Sequence, residues 1–204
     1  MKRRGFTVIE LLIASVITSM VAAAVISTMK AVTGSMEQQD LAADALARAA
    51  RAEARVADHV NRARLILLQD ADEVALWLPT EPFTSSATNT SDYDTINANE
   101  LAWYVMDAST GNLNLKYLTN RNDRTTYGLT TSWSALRTTL EMQKKLTSVC
   151  VLEGLATGQF RVEDGDPCSS GRFTFDGAMT DARGALAVQL GGPLANRQRH
   201  PDCS

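Results

Sequence analysis

Along this chain the hydrophobic pattern changes period twice. From Phe6 to Val32 nearly every residue is Val, Ile, Leu, Ala, Met or a small hydroxyl residue, and residues 11–29 carry no charge. About 20 such residues, rising 1.5 Å each, cross a hydrocarbon core of about 30 Å. A transmembrane helix is therefore predicted over 6–32. After Gly34 and Ser35 the run gives way to a charged, Ala-rich segment. In it Leu41, Ala45, Ala49, Ala52, Val56, Val60, Ala63 and Leu67 recur every three or four residues. That spacing predicts an amphipathic continuation of the helix over 33–70, with a stripe of small residues that a neighbour can approach closely.

Beyond residue 70 the period shortens toward two. Residues 73–78 read as a strand ended by Pro79, and 101–106 with 113–118 read as an antiparallel hairpin across the turn 107–112. Further short strands are predicted at 147–152, 158–163, 171–175 and 185–190. A short helix is predicted over Trp133–Lys145, with Ser132 as its cap. The polar stretch 80–99 reads as a mobile loop, and the tail from Gly191 as loosely held. The implied class is α+β: a long N-terminal helix packed on an antiparallel β-sheet head spanning 71–204.

Charge sharpens this outline. The formal charge is −3, which argues against a surface built to neutralise many phosphates. Arg48, Arg51, Arg55, Arg62 and Arg64 alternate with Asp44, Glu53 and Asp58, as on a solvated helix. Lys2, Arg3 and Arg4 precede the apolar run, and the positive-inside rule then keeps the N-terminus cytoplasmic and the head on the outer side. Glu10 stands among Val8, Ile9, Leu11 and Leu12. A carboxylate there costs up to about 2.5–3.5 kcal/mol on insertion scales, so it marks function rather than anchoring.

The stretch Gly5-Phe6-Thr7-Val8-Ile9-Glu10, behind a basic leader and ahead of an unbroken apolar helix, resembles the prepilin-type N-terminus of type IV pilins and of type II secretion pseudopilins. The resemblance implies that residues 1–5 are a leader removed between Gly5 and Phe6 by a prepilin peptidase, and that Phe6 is then N-methylated. Glu10 takes the place of the family's acid at the fifth mature position. Cleavage would create an ammonium at Phe6, and in a filament core the Glu10 carboxylate of one chain facing the ammonium of the next would set register. Loss of the three leader cations would take the formal charge from −3 to −6. The implied partners are other pilin or pseudopilin subunits, the prepilin peptidase, an inner-membrane assembly platform and membrane lipid. Nucleic acid enters only if the chain serves a DNA-uptake system. The implied location is the bacterial inner membrane, with the head periplasmic or extracytoplasmic. Size and element order are further similar to the J-type minor pseudopilin and to larger minor pilins.

Two other readings compete. An ordinary signal peptide cut near Ala22–Ala24 would release a soluble binding protein or enzyme, and a simple anchored envelope protein would be indifferent to Glu10. The apolar run exceeds the usual 7–15-residue signal core, and Glu10 interrupts it. Cys150 and Cys168 could close a disulfide worth about 3 kcal/mol; Cys168 with Cys203, or three free thiols, are equally open. His59 and His200 read as surface residues. Glu163-Asp164-Gly165-Asp166 lacks the alternating ligands of a calcium loop. With no H-E-x-x-H, no G-x-S-x-G and no phosphate-binding glycine loop, the chain is expected to be a non-enzyme without metal or cofactor.

Overall fold

The computed structural model describes residues 7–79, 95–163, 170–181 and 184–194. The chain divides into two compact units, Met1–Asp44 and Ala45–Ser204. The helix α1 (Val8–Arg62) contributes to both.

In the first unit the large apolar side chains of α1 are exposed among the described residues. Val8 is 75% exposed and even Val32 is 50% exposed. A water-soluble monomer does not carry so long an apolar surface. The hydroxyls on this stretch return their donors to their own helix: Ser15 to the Leu12 carbonyl, Thr18 and Thr28 to those of Ala14 and Ala24, and Ser19 to that of Val16. Polar groups satisfied in this way can enter hydrocarbon without an orphaned donor. Among the described residues α1 is the one helix long and apolar enough to cross a membrane.

In the second unit α1 runs to Arg62, short of the boundary expected near residue 70. Ala63 still donates to the His59 carbonyl, but the next amide, Arg64, already donates to Trp77. From there β1 (Leu65–Gln69) pairs antiparallel with β2 (Glu73–Trp77). The run Leu65-Ile66-Leu67-Leu68 satisfies either period, and pairing with β2 decided it. Leu67 thus leaves the predicted helical stripe. Of that stripe Ala45, Ala52, Val56, Val60 and Ala63 are buried, whereas Leu41 is 56% exposed.

The main sheet has the order β1-β2-β4-β5-β7, with β4 (Leu101–Asp107), β5 (Asn112–Leu118) and β7 (Leu146–Leu152) all antiparallel to their neighbours. Its alternation separates two cores. Leu76, Ala102, Tyr104, Met106 and Leu113 join the buried residues of α1 on one face. Ala75, Trp77, Leu101, Trp103 and Leu118 join Trp133 and Leu140 of α2 (Trp133–Met142) on the other. The 107–112 turn closes at Gly111, whose φ of 68° favours glycine and where a Cβ would lie 2.6 Å from the Leu155 carbonyl.

One sheet was expected, and three are present among the described residues. A second sheet, β10-β9-β8, is formed by β8 (Leu155–Val162), β9 (Arg172–Asp181) and β10 (Gly184–Pro193). It places Phe160, Phe173, Phe175, Val188 and Leu190 in the core shared with α1. A short ribbon joins β3 (Thr95–Asn97) to β6 (Thr126–Gly128). The predicted loop 80–99 therefore stops before Thr95, and its stretch 80–94 lies outside the described residues. The predicted loose tail begins inside β10, and Leu194 beyond it is buried; 195–204 lie outside the description.

Helix α2 ends three residues earlier than predicted. Lys144 adopts φ 55°, its amide donates to Glu141 and that of Lys145 donates to Leu140, which is a Schellman closure made by a lysine. Ser132 occupies the cap position without a side-chain cap bond. Ion pairs fasten this helix to the sheet: Arg137 reaches Glu73 at 2.6 Å and Glu141 at 3.0 Å, and Glu141 also holds Lys116. Burial pushes the Glu141 carboxyl upward, and the two cations more than offset it, leaving its pKa lowered.

Candidate processing and assembly site

Gly5 and Phe6, the predicted cleavage and methylation residues, lie outside the described residues. The description begins at Thr7, and there the first helical turn is organised around Glu10. The Thr7 amide and hydroxyl donate to Glu10 Oε2 at 2.9 and 3.1 Å, and the Glu10 amide donates back to Thr7 Oγ1 at 3.3 Å. Thr7 is the residue before α1 and Glu10 its third residue, so the two form a reciprocal capping box that satisfies two donors the helix start would leave open. Such a cap contributes about 0.5–2 kcal/mol. Sequence reasoning placed Glu10 but missed this partner, although a Thr three residues before a Glu at the head of an apolar run is itself a readable signal.

Glu10 is exposed, and no cation forms an ion pair with it among the described residues. The carboxylate therefore enters the apolar stretch neutralised only by hydrogen bonds. A cap alone does not require a charge, since glutamine can serve as well. Among the described residues the full negative charge at this point meets no cation.

In the second unit Cys150 lies on β7, exposed, with no disulfide partner among the described residues. Burial of its sulfur, with Glu153 nearby, raises its pKa, so it is not an activated nucleophile. Cys168, its predicted partner, lies outside the described residues, as do Cys203, His200 and 164–166 of the acidic turn. His59 is not a plain surface residue. It is half-buried, with Nδ1 2.7 Å from the Tyr104 hydroxyl. Burial lowers its pKa and raises that of Tyr104. The pair joins α1 to β4.

Two open depressions mark the head. The larger, about 930 Å³, runs past Asp72, Asp107, Asn114, Lys116, Glu141 and Lys144. Two of its carboxylates are engaged structurally: Glu141 in the α2 clamp, and Asp107 with Ser109 and Thr110, whose bonds lower its pKa to about 2. The smaller, about 230 Å³, lies between Arg48, Arg51 and Arg55 of α1 and Cys150–Glu153 at the end of β7. Three of the four arginines of α1 thus border one groove. No group of three His, Cys, Asp or Glu converges as for a metal ion among the described residues.

Residues 1–26 match the family model described as the prokaryotic N-terminal methylation motif. The match covers the basic leader, Gly5, Phe6, the Thr7–Glu10 cap and most of the exposed apolar stretch. No curated protein and no solved structure matches the chain significantly.

Proposed function

Since the chain carries the N-terminal methylation motif of the type IV pilin and pseudopilin superfamily on a membrane-anchoring helix, we propose that it is a minor, non-enzymatic subunit of a type IV pilus or type II secretion pseudopilus. One coincidence carries the reading. The stretch matched by the motif is also one whose described apolar side chains are exposed and whose single acid has no cation among the described residues. An anchor would need the first property only. A subunit that leaves the bilayer and packs its helix against sister helices needs both, because the apolar surface is reburied in protein and the charge fixes register.

In this reading a prepilin peptidase cuts between Gly5 and Phe6 on the cytoplasmic side of the inner membrane, and Phe6 is methylated on its new amine. Glu10 then meets the Phe6 ammonium of a neighbouring subunit. The head stays periplasmic or extracytoplasmic, and an assembly platform moves the subunit into the filament. The length of the chain and its long helix followed by a β-rich head favour a minor subunit similar to the J-type pseudopilin over a major one.

Intact mass and N-terminal sequencing, on protein from membranes of a host with a prepilin peptidase, test the proposal. A chain beginning at Phe6 with an added methyl supports it; one beginning near Val25, or retaining Met1–Gly5, rejects it. Two substitutions then separate the roles of Glu10. Glu10→Gln keeps the cap and removes the charge, and Glu10→Ala removes both. Both should remain in the membrane and fail to enter filaments; incorporation of Glu10→Gln at the wild-type level would leave Glu10 only a capping role.

A further inference from the structure

Strand β7 is one outer edge of the main sheet. Two contacts fix which way its polar groups point. The Lys145 carbonyl, just before the strand, accepts from the Thr119 amide just after β5, and the Cys150 carbonyl faces Arg55 Nη1 of α1 at 3.5 Å. Successive residues of a strand turn their amide and carbonyl to alternate sides, so Lys145, Thr147 and Val149 turn toward β5, whereas Leu146, Ser148 and Cys150 turn outward. Among the described residues no backbone hydrogen bond from outside the sheet reaches these three. Such an edge is ordinarily blunted by a charge, a proline or a covering segment. The β8 edge of the second sheet is covered in this way: the Phe160 amide donates to the Ala71 carbonyl, and the Phe160 carbonyl accepts from Gln69 Nε2. Strand β7 reads Leu-Thr-Ser-Val-Cys-Val-Leu, without a charge or a proline, and Ser148 and Cys150 are exposed.

We infer that β7 is a docking edge for an extended acidic segment of another protein, which joins the main sheet as a further strand. The outward amides and carbonyls of Leu146, Ser148 and Cys150 supply the hydrogen bonds, and the surrounding charge selects the partner. Side chains of an added strand alternate between the two faces of the sheet. On the α1 face they meet Arg51 and Arg55, which border the smaller depression together with Cys150. On the α2 face they meet Lys144, which lines the larger depression together with Leu146 and Ser148. None of these three cations joins an ion pair among the described residues, whereas Arg48 is engaged by Glu153 and takes no part. A second copy of this chain is a poorer occupant. Antiparallel pairing of two β7 edges about a twofold axis would bring Arg51 and Arg55 of both copies to one face, where like charges repel. The edge belongs to the head, so the inference does not depend on how the N-terminal helix is processed or packed.

The test uses the full-length chain in detergent micelles and a fluorescein-labelled peptide that alternates glutamate with valine, beside its lysine counterpart. Fluorescence anisotropy should show the glutamate peptide binding at least about tenfold more tightly. N-methylation of the peptide's amides should abolish binding. Arg51 and Arg55 are exposed, so Arg51→Glu with Arg55→Glu should leave the melting temperature unchanged while reversing the preference toward the lysine peptide. Amide hydrogen exchange locates the contact. In the free protein Thr147 and Val149 should exchange slowly and Leu146, Ser148 and Cys150 fast, and saturating glutamate peptide should slow the latter three. No binding at about 1 mM peptide, equal affinity for the two peptides, or indifference to the double substitution overturns the inference. So does unchanged exchange at the three amides under saturating peptide. Slow exchange there in the free protein would mean that the chain itself, or a second copy, already covers the edge, and this too overturns it.

Discussion

The two units of this chain solve the problem of apolar surface in opposite ways. In Ala45–Ser204, leucines, tryptophans and phenylalanines disappear into two cores on either side of one sheet. In Met1–Asp44 the described valines, isoleucines and leucines stand exposed on a single helix. The head carries its solvent-excluded interior with it, whereas the N-terminal helix relies on lipid or on other helices for burial. Stability of the head is therefore a property of the monomer. The behaviour of the anchor is a property of its surroundings.

The sharpest way to break this contrast is to remove apolar bulk from each unit. Trp103→Ala, at a residue with no exposed surface, should cost about 3–5 kcal/mol in denaturant unfolding of the detergent-solubilised chain. Leu12→Ala should leave that unfolding midpoint unchanged and alter only membrane partition or filament entry. A similar loss from both would mean that the helix start packs on the head in the monomer.

Charge provides the next comparison. Arg137→Ala leaves the buried Glu73 carboxylate without its cation, so a loss of about 3 kcal/mol is expected, accompanied by loosening of α2 in hydrogen exchange. Arg62→Ala removes an exposed i,i+4 pair with Asp58 and should cost no more than a few tenths of a kcal/mol. A difference near zero would show that the clamp between α2 and the sheet is replaceable by water.

The smallest effect concerns acidity. His59 has a folded pKa below its unfolded value of about 6.5, so between the two the unfolded chain binds the extra proton. Stability of the head should thus be complete above that value and decline as pH falls below it, with a slope no steeper than one proton. His59→Gln should flatten this part of the profile. An unchanged slope in melting temperature between pH 7.5 and 5 would show that burial does not hold the imidazole neutral.

How much of this was legible from residues alone depended on sequence distance. The hairpin of β4 and β5, the ends of β2 and the start of α2 matched their expected bounds closely, because each is set by neighbours a few positions away. The anchor and Glu10 were legible for the same reason. The end of α1 was not, since Leu65–Leu68 fits two periods. The α2 clamp joins Arg137 to Glu73 across 64 positions, and His59 meets Tyr104 across 45. Neither pair leaves a local trace.

By itself, then, the sequence determined that this chain carries an apolar helix long enough to cross a membrane, with one acid near its start, because that property is decided within about 20 residues. Only the tertiary structure decided where that helix ends, that the described residues of the head form three sheets, and that Arg48, Arg51 and Arg55 border one groove. Those outcomes follow from which distant surfaces exclude water together, and hydrophobic burial carries no address in the local pattern.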